Sequence, residues 1–402
     1  MHDDDFHDSF DTMTHLRGSL FVALFLAVAS NAARAQRPDS TPPRIVRVSA
    51  PVEVQMINVG SEASPLPAVE VMLNGRGPYR FGIETGARFL VVSNEVATAA
   101  GLSRRSSDGE ISEYRADSVS IGAAMLGDVT LSTLPRMPRG VDGLLGLPAF
   151  ADLLLTIDYP GQRVRLERDT LPAADDKTVL GTTRASDFIA IPVRFGSRQV
   201  NTIIDTRSMT GFAIEPVLAE QLRWKTAPTV AGSAGGAGIP TTTISRGVFG
   251  ESVGVGRYEF TSAPLTIHAL PPEFPHEPRI GAGILKYFTF TLDQRTNRVR
   301  FERAASPTID LGAPSSIATT NVNLDDYVGK YGERTITARD GKLFLQRPGG
   351  EPLEMVATAK DQFGLVRVAE ARIEFTRDTS GRVISIAVLA PSGQWERANR
   401  AP

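Results

Sequence analysis

Two carboxylates in this chain stand where carboxylates do chemistry. Glu84 lies in "FGIETGARFLVV", between two apolar runs, and Asp205 lies in "TIIDTRSMTGFAI" with the same punctuation. Each acid is followed by a threonine, Thr85 and Thr206, and then by Gly86 in one case and Arg207 in the other. Two carboxyls held close together cannot both ionise cheaply, so they share a proton at moderate pH. One then serves as general base towards a bound water and the other as general acid towards a carbonyl. A threonine after the acid can hydrogen-bond across to the partner unit and fix the turn. A glycine beyond it has no Cβ to obstruct the partner's backbone.

The rest of the composition narrows the chemistry to these acids. The chain has no cysteine, which removes a thiol nucleophile, a disulfide framework, a thiolate metal site and a lipid-anchored N-terminal cysteine. Its 402 residues carry a formal net charge of −2, so no global field recruits nucleic acid or an anionic membrane. No basic stripe with interleaved aromatics is visible, and nucleic acid is not an expected partner. Of the five histidines, His2, His7 and His15 fall in an N-terminal export segment. That leaves His268 and His276 in "TIHALPPEFPHEP", read as solvated loop residues. Neither has the neighbours of a zinc site or of a Ser-His-Asp triad.

The export segment is read from "LFVALFLAVA", residues 20–29, preceded by Arg17 and followed by "NAARAQ". Ala33 and Ala35 take the small-residue positions before a cleavage site, and Gln36 becomes the first mature residue. The run is too short to span a bilayer. The acidic opening "MHDDDFHDSFDT" does not suit a basic signal n-region, which points to Met13 as the start. Residues 1–35 are therefore expected to be a signal peptide. The mature protein is expected to be exported, periplasmic or extracellular, with no membrane span; its oligomeric state is not legible.

The acids must be positioned by strands. "LPAVEVMLNG", "PYRFGIE", "DSVSIG" and "DVTLSTL" carry β-branched or alternating apolar residues between Gly, Pro and Asn, and "NGRGP" (74–78) is a hairpin turn. Two short helices are expected, at 93–102 ("SNEVATAAGL", with a Ser cap and a Gly stop) and at 215–224 ("EPVLAEQLRW"). "AGSAGGAGIP" (231–240) lacks the Lys and following helix of a phosphate loop and is read as a flexible loop.

An internal duplication organises these elements. "LTIDYPGQRVRLER" (155–168) is echoed by "FTLDQRTNRVRFER" (290–303), with Asp158 and Asp293 separated by an offset of 135 residues. Leu145-Gly146 falls on Ile280-Gly281 at the same offset, while the acid turns correspond at the smaller offset of 121. "DSVSIG" pairs likewise with "ESVGVG". Asp158 and Asp293, duplicated away from the acids, are read as structural, and Asp142 as a turn cap. The boundaries that follow are a first lobe at 45–170, a second at 178–304, a linker at 305–319 and a small β domain at 320–400. In the last, "RDGK" and "DTSGR" serve as hairpin turns and "VISIAVL" shows a period-two apolar face.

With those features assembled, residues 60–304 resemble the bilobal aspartic peptidases of the pepsin and retroviral-protease type, especially bacterial exported retropepsin-like proteins. The resemblance rests on "FGIETGA" and "TIIDTRS" at the Asp-Thr-Gly turns, on "VDGLLGLPAF" and "RIGAGILKYF", and on the two closing strands. It implies a mostly β, two-lobed β-barrel body with short helices, followed by the small C-terminal all-β domain. It places the dyad acids on Glu84 and Asp205, with support from Thr85, Gly86, Thr206, Arg207 and Ser208. It implies hydrolysis of peptide bonds by an activated water, with no metal or organic cofactor and a peptide or protein as partner. The tail, with "LDDYVGKY", more distantly resembles the β domain appended to some bacterial hydrolases. Tyr114, in "SDGEISEYRADSV" (107–119), is either a flap residue over the cleft or an exposed hairpin tyrosine.

Both turns depart from the family pattern. Glu84 replaces the expected Asp and carries its carboxylate one methylene further, and a misplacement of about 1 Å can cost roughly a hundredfold in rate. Arg207 replaces the expected Gly. Its guanidinium is expected to pair with Glu84 or Asp205, which favours the ionised carboxylate and removes the general acid at neutral pH. Two functions therefore stand side by side: a peptidase working through Glu84 and Asp205, and a catalytically inactive pseudo-peptidase whose cleft binds extended peptides or a partner protein by strand-like main-chain hydrogen bonds.

Overall fold

The first acid strand starts from a two-residue turn. Asn74 and Gly75 take φ of 49° and 75° and join strand Ser64–Leu73 to strand Arg76–Glu84, with Leu73 opposite Arg76. Asparagine tolerates this left-handed region and glycine is at home in it, which suits the twist of a tight hairpin. Along Arg76–Glu84, burial grows from the exposed turn to the fully enclosed Phe81, Gly82, Ile83 and Glu84. The strand thus carries its last residue, the acid, into the interior. Strand Arg198–Asp205 repeats the design: it leaves Phe188–Phe195 through a turn at Gly196 (φ 60°) and ends on the second acid.

These features belong to a computed structural model that describes residues 42–401, apart from 62–63, 109–110, 135–136, 139, 186, 209, 237–238, 271–274, 313–322, 366–367 and 390–394. The expected signal peptide and cleavage site, and residues 313–319 of the expected linker, lie outside the described residues.

Each acid strand is flanked by an insertion that matches the duplication. Strand Gly143–Gly146 runs parallel to Arg76–Glu84, with Gly146 beside Glu84, and antiparallel to Leu90–Val92. In the second lobe, Arg279–Gly281 runs parallel to Arg198–Asp205, with Gly281 beside Asp205, and antiparallel to Phe212–Ile214. Both glycines are required by crowding. A Cβ on Gly146 would strike the carbonyl oxygen of Phe89, and one on Gly281 would strike that of Thr210.

The lobes are tied together by a six-stranded sheet whose central strands are the duplicated closing segments. Leu154–Asp158 pairs antiparallel with Thr289–Asp293, and Thr156 faces Thr291 across the ladder. Thr156 and Thr291 are themselves separated by 135 residues, so a pseudo-twofold axis passes between their hydroxyls, which are 3.0 Å apart. Asp158 and Asp293 have the structural roles expected of them. Asp158 accepts from Gly161 N at 2.9 Å and Thr289 Oγ1 at 2.8 Å. Asp293 accepts from Leu171 N, Arg295 N, Thr296 N and Thr296 Oγ1. One apolar core runs through both lobes, rich in Val, Leu and Ile on the first side and in edge-packed aromatics such as Phe212, Phe260 and Phe288 on the second.

The C-terminal eight-stranded sheet, from Gly329–Tyr331 to Trp395–Asn399, is an up-and-down meander with a separate core around Tyr327, Tyr331, Phe363 and Phe375. A bridge between Tyr331 and Arg400, with Ala401 N donating to Lys330 O at 2.7 Å, joins its last strand to its first. Closure removes the exposed edges that an open meander would present. Strand Thr308–Asp310, in the expected linker, instead pairs with Tyr258–Thr261 of the second-lobe sheet.

The helices depart partly from the sequence pattern. Asn94–Ala99 forms with Ser93 as its cap, the hydroxyl accepting from Val96 N at 3.1 Å. The second helix is only Pro216–Ala219, because Trp224 already begins a 13-residue strand, Trp224–Gly236. A third short helix, Ala282–Leu285, was not apparent in the sequence. The glycine-rich stretch 231–240 is not a loop. Apart from 237–238, its backbone belongs to strands Trp224–Gly236 and Ile239–Phe249, whose register shifts accommodate the glycines. No helix among the described residues is long and apolar enough to cross a membrane.

Candidate active site

Each acid closes a tight turn at the end of its strand. Ala87 N donates to Glu84 O at 3.2 Å, and Ser208 N to Asp205 O at 3.1 Å. The turn residues are then held across the lobe junction by crossed threonine bonds. Thr85 Oγ1 donates to Ile204 O at 2.8 Å and accepts from Thr206 N at 3.1 Å. Reciprocally, Thr206 Oγ1 donates to Ile83 O at 2.6 Å and accepts from Thr85 N at 3.0 Å. Both threonines are buried. Each hydroxyl therefore satisfies one donor and one acceptor of the main chain that water cannot reach.

That junction brings the two acids to one place with unlike surroundings. Asp205 accepts at Oδ1 from the backbone N–H groups of Arg207 and Ser208, both at 3.1 Å, and its Oδ2 lies 3.6 Å from Arg279 Nε. Across the junction, Gly86 makes room for it: a Cβ there would lie 2.6 Å from Asp205 Oδ1. Gly86→Ala is therefore expected to displace the Asp205 carboxylate, and any hydrolysis that uses the acid pair is expected to fall about a hundredfold. A kcat/KM comparison with wild type, with the melting temperature measured alongside, checks this.

In the second lobe the position of Gly86 is taken by Arg207, and the outcome inverts. Arg207 lays its guanidinium on the acid opposite, with Nε 2.6 Å from Glu84 Oε1. Of the two partners open to it, its side chain takes Glu84 and its backbone takes Asp205. Glu84 is buried, and burial pushes its carboxyl above the usual range. Arg207 opposes that shift and the charge of Asp205 adds to it, leaving a net rise. For Arg207, desolvation works against the charge, but Glu84 and then Asp205 outweigh it and raise its pKa. Burial thus favours the protonated form of Glu84, while Asp205 is surrounded by hydrogen-bond donors.

Of the residues named as support for the acids, Thr85, Gly86 and Thr206 lie at the lobe junction. Ser208 helps through its backbone N–H, whereas its hydroxyl pairs with Thr210 Oγ1 at 3.0 Å. Three other expectations are corrected. Tyr114 is neither a cleft cover nor an exposed hairpin residue: it is buried, with its hydroxyl donating to Asn94 Oδ1 at 3.2 Å. Its strand, Ile111–Ile121, buries alternate residues, and 114 falls on the inward phase. His268 is buried rather than solvated, and burial followed by the charge of Arg279 pushes its pKa down to about 4. His276 is the exposed one, 3.7 Å from Glu215 Oε2. Asp142, expected to cap a turn, instead braces the middle of the acid strand, with Oδ2 accepting from Arg80 N at 2.7 Å.

Sequence reasoning missed Arg279. Its signal was present: the 135-residue offset lays it on Leu144, so a cation replaces an apolar residue in otherwise matched segments.

Comparison with known proteins bears on the first lobe. Residues 69–149 match the family model described as aspartyl protease. A search of curated proteins finds no match. Among solved structures, the aspartic proteinase from Irpex lacteus matches with a TM-score of 0.40 and 14% identity, over 63% of this chain and 97% of that one. The stretch carrying Glu84, Thr85 and Gly86 is thus aspartic-peptidase-like in sequence, and Asp205 lies beyond the matched residues.

Proposed function

We propose that this chain is an exported peptidase-like protein that binds an extended peptide or protein segment between its lobes and hydrolyses it in acid. Asp205 takes a proton from the attacking water while protonated Glu84 gives one to the scissile carbonyl oxygen. The tetrahedral intermediate then collapses as the leaving nitrogen is protonated, and the pair returns to its starting state. The observation that carries this reading is the crossed pairing of Thr85 and Thr206, which fixes two acid-bearing turns of opposite lobes against each other. The family match over residues 69–149 supports the substrate class.

Arg207 sets the pH range. At neutral pH it holds Glu84 as an ion pair and the acid member is missing; as pH falls, Glu84 takes up its proton and the guanidinium loses its anion. Cleavage is expected to rise as pH falls, because burial favours the protonated Glu84 against the pull of Arg207, and to fall away towards neutral pH. The contact of Arg207 Nε with Glu84 Oε1 also favours a second reading, in which the pair never opens and the cleft only binds peptides. Incubating the mature protein with a diverse peptide library from pH 3 to pH 7 separates the two. Acid-limited cleavage supports hydrolysis, while peptide capture without cleavage at any pH supports binding alone.

A further inference from the structure

The two sides of the acid junction differ in a way that the duplication makes readable. Residues two apart on a strand share a face, so Gly82 faces with Glu84, and Ile203 with Asp205. Leu144 sits beside Gly82 in the parallel register, and Arg279 beside Ile203. Leu144 and Arg279, equivalent by the 135-residue offset, therefore lie on the acid-bearing faces of their sheets, one on each side of the junction. Their neighbours Leu145 and Ile280 point the other way, into the shared core.

On the first-lobe side the surroundings are apolar: Leu144 packs with Leu66 and Val91, flanked by the partly exposed Phe89, Leu134 and Met137. On the second-lobe side the same position holds a guanidinium that is 8% exposed. Burial pulls the pKa of Arg279 down, while Asp205, Glu215 and Glu277 push it up; an arginine stays cationic regardless. Its Nε lies 3.6 Å from Asp205 Oδ2, beyond hydrogen-bond length, and its side chain makes no hydrogen bond to the described residues. The side chain is only 10% exposed, so its guanidinium is a nearly enclosed cation beside Asp205. A planar fork of unused donors beside the acids matches a carboxylate in bidentate geometry.

We infer that Arg279 forms a cationic subsite for a carboxylate of the bound peptide, opposite an apolar subsite built on Leu144. The preferred ligand is an extended peptide with an apolar side chain on the first-lobe side of the acids and Asp or Glu on the second-lobe side. Arg279 is then a specificity-determining residue, and the inference rests on reading the cleft as peptide-binding.

The test uses immobilised wild-type protein at pH 7 and a random decapeptide library. The retained pool should be enriched in Asp or Glu at one position. A labelled member of that pool should bind at least about tenfold more tightly than its Glu→Gln counterpart in fluorescence anisotropy, as expected for a hydrogen bond to a charged group. In Arg279→Met the two peptides should bind within about twofold of each other, while Arg279→Lys keeps part of the preference. Equal binding of the Glu and Gln peptides by wild type overturns the subsite without needing any variant to fold. A preference that survives Arg279→Met overturns it as well. Retention of no peptide at all overturns the peptide-binding cleft itself, and the subsite with it.

Discussion

Arg207→Gly is expected to raise peptide hydrolysis about a hundredfold near pH 6 and to carry activity towards neutral pH. The reason lies in the balance on Glu84. Arg207 is what lowers its pKa, while burial and the charge of Asp205 both raise it. With the guanidinium gone, Glu84 holds its proton to higher pH, and the two carboxyls regain the shared proton that general acid–base catalysis needs. Glycine at 207 also restores the symmetry of the turns, since Gly86 already accommodates Asp205 from the other side. A factor of a hundred is modest for supplying a missing general acid, which is typically worth about 10² to 10⁴.

The same substitution has a stability signature of definite sign. A carboxyl whose folded-state pKa is raised contributes stability below its unfolded pKa, and that contribution is lost as pH rises through the folded value. Glu84 is raised, and removing Arg207 raises it further. Arg207→Gly should therefore melt close to wild type at pH 4 but fall below it at pH 7, by up to about 3 kcal/mol, since a buried charge has lost its partner. Melting curves at the two pH values, set beside the pH profile of kcat/KM, check both halves. A variant destabilised equally at both values would mean that Arg207 acts by packing alone.

Thr206→Val should damage the molecule at the lobe junction. It removes the donor to Ile83 O and the acceptor for Thr85 N, at 2.6 and 3.0 Å, and leaves both main-chain groups buried without partners. At about 1–3 kcal/mol for each unsatisfied group, the loss is roughly 2–6 kcal/mol, a large part of the stability of an ordinary domain. Turnover should fall at least about a hundredfold as the acid turns lose their mutual registration. Thr206→Ser keeps the hydroxyl and should retain most of both properties. Denaturant unfolding together with kcat/KM for the pair of variants separates the role of the hydroxyl from that of the methyl group.

How much of this was legible in the sequence follows from what repetition can and cannot encode. Glu84, Asp205 and their threonines could be placed because the chain states the same turn twice, and symmetry then requires the turns to meet. Tyr114 falls on the inward phase of a strand with period-two burial, but the glycine and acidic residues before it suit an exposed hairpin equally well. His268 was obscured by the prolines that follow it, although the strand Pro264–Ile267 delivers it directly into the second lobe. The partner of the Arg207 side chain was not decidable in one dimension: two carboxylates were within reach, and the geometry of the opposite turn selected Glu84. Arg279 could have been found by reading the duplication for differences as well as for matches. The short second helix shows the usual limit, where strand pairing from Trp224 onward overrides a locally helical pattern.

The central claim is that Glu84 and Asp205 act as one acid pair. Its most direct test is digestion of a peptide library at pH 4 by wild type and by Asp205→Asn, which keeps the shape of the side chain but removes its basicity. Wild type should cut and Asp205→Asn should not, with both retaining peptides and melting within a few degrees of each other. Cleavage of the same bonds by Asp205→Asn at an undiminished rate would contradict the account.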